Sequence, residues 1–270
     1  MGINSNENLI PSVGTKMDVN LNASEGANLS THLDGALCVI TARGGSKRIP
    51  RKNIRSFCGK PIIAYSIKAA LESGLFDEVM VSTDDEEIAS ISRSYGASVP
   101  FMRSAATSDD YATTTDVLNE VLATYKDGGF KFGVLCCLYA TAPLVTAEKL
   151  RAAYKLLPKD SDKGVCVVSE FTFPPQRGFV ECDGILKYRY PEYASVRSQD
   201  LEPMYQDAGQ FYFYGTDAFA SGVVQPSGFI GFKVPQTEVQ DIDTLIDWRL
   251  AEMKYRLMFE EPNSEDTRAI

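Results

Sequence analysis

The stretch ALCVITARGGSKRIPRKN, from Ala36 to Asn53, decides how the fold is interpreted. Its first six residues, Ala36 to Thr41, form a short apolar run that is typical of a strand buried on both faces. A basic loop, defined here as residues 43–53, follows at once and contains Gly44 and Gly45. Paired glycines let the backbone approach a ligand and turn its N–H groups toward an anion. The stretch therefore predicts a phosphate site directly after a buried strand.

Strand-like and helix-like patterns alternate along most of the chain. Pro61 suits the first position of a helix, and Gly74 suits its end. This alternation predicts an α/β fold with a mostly parallel sheet covered by helices on both faces. In such sheets ligands bind at the carboxyl ends of the strands, where the basic loop begins. The predicted strands are 36–41, 78–83, 132–138, 164–170, 209–214 and 229–234, and the predicted helices are 61–73, 84–95, 114–126, 146–157 and 244–259.

Three segments lie outside this alternation. Residues 1–35 are rich in Asn, lack aromatic residues and show no periodicity, so we expect a disordered leader. Residues 260–270 form a shorter polar tail that we expect to be flexible. Residues 171–205 are rich in Pro, Tyr and Arg, which predicts an insertion of hairpins or loops. One domain is therefore expected over residues 36–259.

The composition excludes several classes of function. A net charge of -9 disfavours nucleic acid and anionic lipid as partners. No stretch approaches the roughly 18 apolar residues of a membrane span, and no signal peptide is recognisable. None of the six cysteines forms a C-x-x-C pair, so we expect reduced thiols in a cytoplasmic protein rather than a zinc site.

The basic loop reverses the charge of the chain locally. No acidic residue occurs between Gly35 and Leu71. Arg43 can hold a phosphate through two hydrogen bonds, Lys47 and Lys52 can act as point charges, and Ser46 adds a hydroxyl. The alternative is a solvated basic loop without a ligand. Neither a P-loop nor a G-x-G-x-x-G motif is present. The basic residues of the stretch are Arg43, Lys47, Arg48, Arg51, Lys52, Arg55, Lys60 and Lys68.

Two carboxylates, Asp241 and Asp243, precede the last predicted helix. Alternate residues of an extended segment point to the same side, so the pair could bind Mg²⁺ beside a phosphate loop. The alternative is that one of them caps the helix. The run Asp84 to Glu87 is interpreted as a charged first helical turn. The single histidine, His32, lies in the leader, so chemistry based on histidine is not expected.

The sequence resembles the acylneuraminate cytidylyltransferases. The resemblance begins at ARGGSKRIPRKN and FCGKPIIAYSI and continues through VSTDDEEIA, VPFMRSA, LYATAPL, DAGQFYFY and QDIDT. It spans residues 36 to about 255 and implies a Rossmann-like nucleotidyltransferase fold. Within the family, YATAP at 139–143 and DAGQF at 207–211 resemble the branch that acts on pseudaminic acid.

The resemblance implies a reaction between CTP and a nine-carbon 2-keto acid sugar, giving a CMP-sugar and pyrophosphate. It also implies that 171–205 forms a homodimer interface. Alternative acceptors are N-acetylneuraminate, legionaminate and 3-deoxy-manno-octulosonate, and a non-catalytic nucleotide- or sugar-binding module remains a further alternative.

The resemblance assigns roles to individual residues. Asp241 and Asp243 are expected to hold Mg²⁺, and together with Arg43, Lys47 and Lys52 they form the expected catalytic set. The residues expected to face the sugar are Ala208, Gly209 and Gln210. The residues expected to bind CTP are Ala42, Arg43, Gly44, Gly45, Ser46, Lys47, Lys52, Asn53, Arg103, Thr114 and Thr141.

Overall fold

A computed structural model describes residues 35–159, 161–222 and 228–260. The leader and tail predictions lie outside the described residues, except for Gly35 and Glu260. The strands are β1 (Ala36–Thr41), β2 (Ser56–Phe57), β3 (Lys60–Pro61), β4 (Glu78–Ser82), β5 (Val134–Tyr139), β6 (Gly164–Glu170), β7 (Phe179–Cys182), β8 (Ile185–Tyr188), β9 (Tyr205–Gly215) and β10 (Phe229–Lys233). The helices are α1 (Ile63–Ser73), α2 (Glu86–Ser94), α3 (Thr114–Asp127), α4 (Ala147–Tyr154), α5 (Thr216–Ala220) and α6 (Leu245–Phe259).

Six strands form the central sheet in the order β10-β6-β9-β5-β1-β4. β1 runs parallel to both β4 and β5, and β10 runs parallel to β6. β9 is antiparallel to its neighbours β5 and β6. The predicted α/β fold with a mostly parallel sheet is thus confirmed. The carboxyl ends of β1, β4 and β5 meet at one edge, which brings together the segments that begin at Ala42, Thr83 and Ala140.

Alternate residues of β1 pack against helices on opposite faces of the sheet. Cys38 and Ile40 join the apolar cluster formed with α1, α2 and α4. Leu37 and Val39 join the cluster formed with α3 and α5. Because both faces are covered, the strand contains apolar residues only, apart from the terminal Thr41.

A third apolar cluster joins the basic loop to α6. The ring of Phe57 makes edge contacts with those of Trp248 and Tyr255, at centroid distances of 5.6 Å for each pair. Ile49 and Ile242 are fully buried in the same cluster. The packing therefore brings the segment before α6, with Asp241 and Asp243, beside the loop after β1.

Two predicted helix starts are wrong by a few residues. Pro61 pairs with Ser56 in the small β2–β3 hairpin, and α1 begins at Ile63. α2 begins at Glu86, because Asp85 is its N-cap and accepts a hydrogen bond from the Ile88 amide. Gly74 ends α1 in the left-handed conformation, as predicted.

The insertion contains the β7–β8 hairpin and several short turns. Its two strands pair only with each other among the described strands. No helix in the described part of the chain is long and apolar enough to cross a membrane.

Candidate active site

A cavity of about 330 Å³ lies at the carboxyl edge of β1 and β5 and is called the first cavity. It is bordered by the basic loop, the end of β5, the start of α3 and the loop that precedes α3. Several residues singled out from the sequence line it together: Arg43, Lys52, Asn53, Arg103, Thr114, Thr141 and Asp241.

The basic loop is packed against acidic residues that follow β4. The amide of Gly44 donates to Asp84 Oδ1 at 2.8 Å. A Cβ atom on Gly44 would lie only 2.7 Å from Asp85 Oδ2, so a larger residue here would push the Asp85 side chain aside. Arg51, in the left-handed conformation, forms ion pairs with Asp85 and Glu87. The hydrogen bond that Arg51 donates to the Asp85 carboxylate holds the pKa of Asp85 below its usual range. Arg51 therefore anchors the loop to α2.

Two other cations of the basic loop face a second loop, residues 104–113, which leads from Arg103 to α3. Arg43 Nη1 donates to the carbonyl of Asp109 at 2.7 Å. The same nitrogen lies 3.2 Å from Asp110 Oδ1, and Lys47 forms an ion pair with Asp110. Asp110 is not among the site residues predicted from the sequence. The only signal that could have found it is an acidic pair in the loop before a helix that starts near the predicted phosphate site.

Lys52 and Asn53 point inward from the end of the basic loop. Asn53 Nδ2 donates to the carbonyl of Arg43 at 2.9 Å, which fixes the two ends of the loop together. Lys52 Nζ donates to the carbonyl of Ile242 at 2.8 Å. Burial lowers the pKa of Lys52, although the nearby Asp243 and Asp241 oppose this effect. The site thus holds an ammonium group that would gain from a polyanionic ligand.

Arg103 is half-buried and lines the same cavity. Its Nη2 donates to the carbonyl of Ser82 at 2.7 Å, and its Nε donates to Ser82 Oγ at 3.0 Å. Burial lowers the pKa of Arg103, against the raising influence of Asp84 and Glu120. These contacts orient the guanidinium rigidly from the end of β4.

Neither Asp241 nor Asp243 caps α6. The N-cap is Thr244, whose side chain accepts from the Asp247 amide while the Asp247 carboxylate accepts from the Thr244 amide. Asp243 pairs with Arg48 at 2.5 Å, whereas the carboxylate of Asp241 forms no ion pair with a described residue. Two carboxylates beside a cavity with room for phosphate oxygens are a donor set that suits Mg²⁺. In the described ranges no group of three or more His, Cys, Asp or Glu could hold a metal ion.

The turn before these carboxylates is held from two sides. Lys149 of α4 forms a largely buried ion pair with Glu238 at 2.6 Å. Lys254 of α6 donates to the carbonyls of Gln236 and Val239 at 3.0 and 2.5 Å. Together with the bond from Lys52 to Ile242, these contacts fix the path of the chain on both sides of Asp241.

A second cavity, of about 460 Å³, shares Thr114 and Tyr139 with the first. Thr114 Oγ1 and Tyr139 Oη are 3.3 Å apart on this common wall. Asp207 lines the second cavity and accepts from Tyr212 Oη at 2.8 and 2.7 Å. Burial is the main cause that raises the pKa of Tyr212, and the hydrogen bond to Asp207 raises this pKa further. The other lining residues are Thr115, Leu118, Cys166, Val168, Tyr214, Phe219 and Phe229.

Some residues singled out from the sequence lie away from both cavities. Ala42 is buried and donates its amide to Ser82, while Gly45 and Ser46 lie on the outer part of the basic loop. Ala208 and Gln210 are buried, and Gln210 donates to the carbonyl of Glu238 at 2.7 Å. Gly209 adopts a φ of 59° and donates its amide to Asp207. Their neighbours Asp207 and Tyr212 reach the second cavity instead.

Known proteins resemble this chain over most of its length. A family model described as cytidylyltransferase matches residues 37–178. The pseudaminic acid cytidylyltransferase of Campylobacter jejuni serotype O:2 is 43% identical over 227 residues, which cover 83% of this chain and 97% of that protein. The CMP-N,N'-diacetyllegionaminic acid synthase of Legionella pneumophila is 36% identical over 234 residues, with 80% and 94% covered.

The fold has a counterpart among solved structures. The structure of a CMP:2-keto-3-deoxy-manno-octonic acid synthetase complexed with CTP superposes with a TM-score of 0.58 at 18% identity. The match covers 84% of this chain and 100% of that one. This likeness supports the fold alone.

Proposed function

Because the chain belongs to the cytidylyltransferase family, we propose that it transfers CMP from CTP to the anomeric hydroxyl of pseudaminic acid. The products are CMP-pseudaminic acid, for the glycosylation of surface glycans or flagellin, and pyrophosphate. The observation that carries the proposal is the wall of Thr114 and Tyr139 between two adjoining cavities. The first cavity carries the cations Arg43, Lys52 and Arg103, which can bind a triphosphate, beside the carboxylates Asp109, Asp110 and Asp241. The second cavity is mainly apolar, which suits an acylated deoxy sugar.

CTP is assigned to the first cavity. Arg43, Lys47 and Lys52 bind its phosphates, and Asn53, Arg103 and Thr141 line the space for the rest of the nucleotide. The anomeric hydroxyl attacks the α-phosphorus from the side of the second cavity, and pyrophosphate leaves toward the cations of the basic loop. Such transfers depend mainly on positioning and on neutralisation of the developing charge. This chemistry needs no histidine.

Asp241 and Asp243 are the residues that would hold Mg²⁺. When bound, the ion supplies positive charge to the triphosphate and the departing pyrophosphate. The carboxylate of Asp241 forms no ion pair with a described residue. To bind Mg²⁺, the carboxylate of Asp243 must either release Arg48 or keep that ion pair while it binds the metal. Lys52 lies 3.9 Å from Asp243 and links this carboxylate to the phosphate site.

The second cavity is assigned to the sugar. Its walls of Val168, Phe219 and Phe229 suit the methyl groups of acetamido and deoxy positions. Asp207 would repel the carboxylate of the sugar and accept hydrogen bonds from its N–H or hydroxyl groups. The predicted sugar contacts at 208–210 are therefore proposed to act through the backbone and through the placement of Asp207.

We further propose that the enzyme acts in the cytoplasm as a homodimer. Its six cysteines are all free thiols, which suits a reducing compartment. The insertion exposes Phe173, and its β7–β8 hairpin exposes Ile185 and Leu186, with exposed fractions of 85%, 61% and 62%. A two-stranded hairpin is marginal alone, and exposed apolar patches mark interfaces. A second copy of the chain is the proposed partner.

Pyrophosphate release tests the proposed reaction. The protein is mixed with CTP, Mg²⁺ and, in separate reactions, pseudaminic acid, N,N'-diacetyllegionaminic acid, N-acetylneuraminic acid or 3-deoxy-manno-octulosonic acid. We expect turnover with pseudaminic acid to exceed the others by at least about tenfold in kcat/KM, a difference of about 1.4 kcal/mol. Reactions without sugar, or with ATP in place of CTP, are the controls. Equal or faster turnover with N-acetylneuraminic acid would overturn the substrate assignment.

A further inference from the structure

The carboxylate of Asp110 lies between two cations of the basic loop, Arg43 and Lys47. It pairs with Arg43 Nη1 at 3.2 Å and with Lys47. The backbone carbonyl next to it, that of Asp109, accepts from the same guanidinium at 2.7 Å. The proposed function assigns phosphates to Arg43 and Lys47. Without a nucleotide, these two cations are therefore neutralised by a carboxylate of the chain itself.

The position of Asp110 is set by the loop that carries it. At one end of the 104–113 loop, Glu120 accepts from the amide and the hydroxyl of Ser104, each at 2.8 Å, and also from Thr107. Next to Asp110, the carboxylate Oδ1 of Asp109 accepts from the amides of Tyr111 and Ala112 at 2.9 and 2.7 Å. The loop is thus tied to α3 and closed by a turn, which presents Asp110 toward the basic loop.

The ion pairs of Asp110 are of the kind that a ligand can displace. The side chain of Lys47 is 76% exposed and that of Asp110 is 45% exposed. Exposed pairs are weak because water screens them. A triphosphate or pyrophosphate carries several negative charges against the single charge of Asp110, so it can take over both cations. CMP, with one phosphate next to the nucleoside, does not need them.

We propose that Asp110 competes with polyphosphate for Arg43 and Lys47 and thereby speeds the release of pyrophosphate. This inference rests on the proposed function, because it takes the two cations as phosphate ligands. In the resting enzyme Asp110 neutralises them. CTP displaces it on binding, and after transfer the carboxylate returns to the cations as pyrophosphate leaves. Asp110 touches no reacting atom and is not a catalytic residue.

Calorimetric titration of the full chain with CTP, inorganic pyrophosphate and CMP, each with Mg²⁺, tests the proposal. Asp110→Asn keeps the shape of the side chain and removes its charge. We expect this variant to bind pyrophosphate and CTP about fivefold to twentyfold more tightly than the wild type, since two weak ion pairs no longer compete. Its affinity for CMP should be unchanged. Asp110→Glu, which keeps the charge, should bind all three ligands within about threefold of the wild type.

Glu148→Gln is the matched control. It removes one negative charge and breaks another exposed ion pair, that of Arg151 with Glu148 on α4, without touching either cavity. Its three affinities should equal those of the wild type. Unchanged or weaker pyrophosphate binding in Asp110→Asn would overturn the inference, as would an equal gain for CMP. If the wild type failed to bind CTP, the proposed function would fall and this inference with it.

Discussion

The ammonium group of Lys52 donates to the backbone carbonyl of Ile242 at 2.8 Å, across 190 positions of sequence. This contact joins the end of the basic loop to the chain between Asp241 and Asp243. Lys52 therefore has two tasks, since it faces the proposed phosphate site and also holds the carboxylates in place. Its burial lowers its pKa, which makes the first task sensitive to pH.

The first prediction concerns the alkaline limit of CTP binding. Burial disfavours the charged form of Lys52, so its pKa in the folded protein lies below that of a free lysine. As pH rises through this lowered pKa, the ammonium loses its charge and the KM for CTP should rise. Lys52→Arg keeps the charge at every accessible pH, so its alkaline limb should move up by at least about one pH unit. The measurement is the KM for CTP between pH 7 and pH 10.

Thermal melts separate this effect from a loss of folding. Thermal melts of both proteins over the same pH range should coincide, because Lys52→Arg leaves the apolar cluster of Phe57 and Trp248 intact. An alkaline limb at the same pH in both proteins would assign that limb to another group.

The second prediction separates a metal ligand from a helix cap. Asp241→Asn should leave the melting temperature unchanged, because Thr244 and Asp247 already cap α6. The same variant should lose at least about 100-fold in kcat, since the proposed site then has one carboxylate instead of two. Binding of Mn²⁺ in the presence of CTP, followed by electron paramagnetic resonance, should weaken in parallel.

Thr244→Ala is the opposite control. Removing an N-cap side chain costs about 1 kcal/mol of stability, so this variant should melt earlier. Its Mn²⁺ affinity should stay that of the wild type. Near-normal activity and Mn²⁺ binding in Asp241→Asn would remove Asp241 from the proposed metal site.

Much of the fold was predictable because the local sequence pattern and the burial of the residues favour the same strands and helices. The runs 36–41 and 164–170 are apolar except at their last one or two residues and coincide with β1 and β6. Thr244 and Asp247 cap α6 at the residue where the sequence predicts the last helix to begin. The direction of β9 was not predictable, because direction depends on how the insertion returns the chain to the sheet and not on the strand's residues. α5 has five residues, too few to show a helical period.

The candidate site was predictable where its residues follow one strand. Arg43, Lys52 and Asn53 come after β1 and meet in the first cavity. Asp241 joins them through a tertiary contact. The family resemblance implied this contact, but the spacing of the residues along the sequence alone could not predict it. Asp110 lies 63 positions from Lys47, and only the path of the 104–113 loop brings the two together. Likewise, the irregularity of β9 at Gly209, where the register with β6 shifts, brings Asp207 and Tyr212 to the same cavity and leaves Ala208 and Gln210 buried.

The third prediction tests the sugar pocket. Tyr212→Phe removes the hydroxyl that donates to Asp207, so that this carboxylate is held by the Gly209 amide and no longer by Tyr212. We expect the KM for the sugar to rise about tenfold while the KM for CTP changes less than about twofold, because one hydrogen bond to a charged group is lost on one side of the site only. Steady-state kinetics with each substrate varied in turn measures the split.

Tyr65→Phe serves as the matched control for Tyr212. The hydroxyl of Tyr65 donates to the carbonyls of Phe57 and Cys58, away from both cavities. This variant should lose some stability and keep both KM values. A rise of both KM values in Tyr212→Phe would indicate a general distortion of β9 rather than a role in the sugar pocket.

The fourth prediction concerns the proposed dimer. Ile185 and Leu186 occupy successive positions of β8 and so point to opposite faces of the hairpin, yet both are largely exposed. If the partner covers only one face of the hairpin, only one of the two changes, Ile185→Lys or Leu186→Lys, should disrupt the dimer. We expect one of them to shift the protein from dimer to monomer in light scattering after size exclusion, since a buried lysine without a counter-charge is costly.

Leu257→Lys distinguishes this interface from one on α6. Leu257 is 73% exposed and lies with Ile246, Leu250 and Met253 on an apolar stripe at positions spaced by four, three and four residues, a spacing that also suits helix pairing. If the hairpin forms the dimer, Leu257→Lys remains dimeric and keeps its activity. A monomer from Leu257→Lys, with both hairpin variants dimeric, would instead assign the interface to α6 and leave the insertion without a role in assembly.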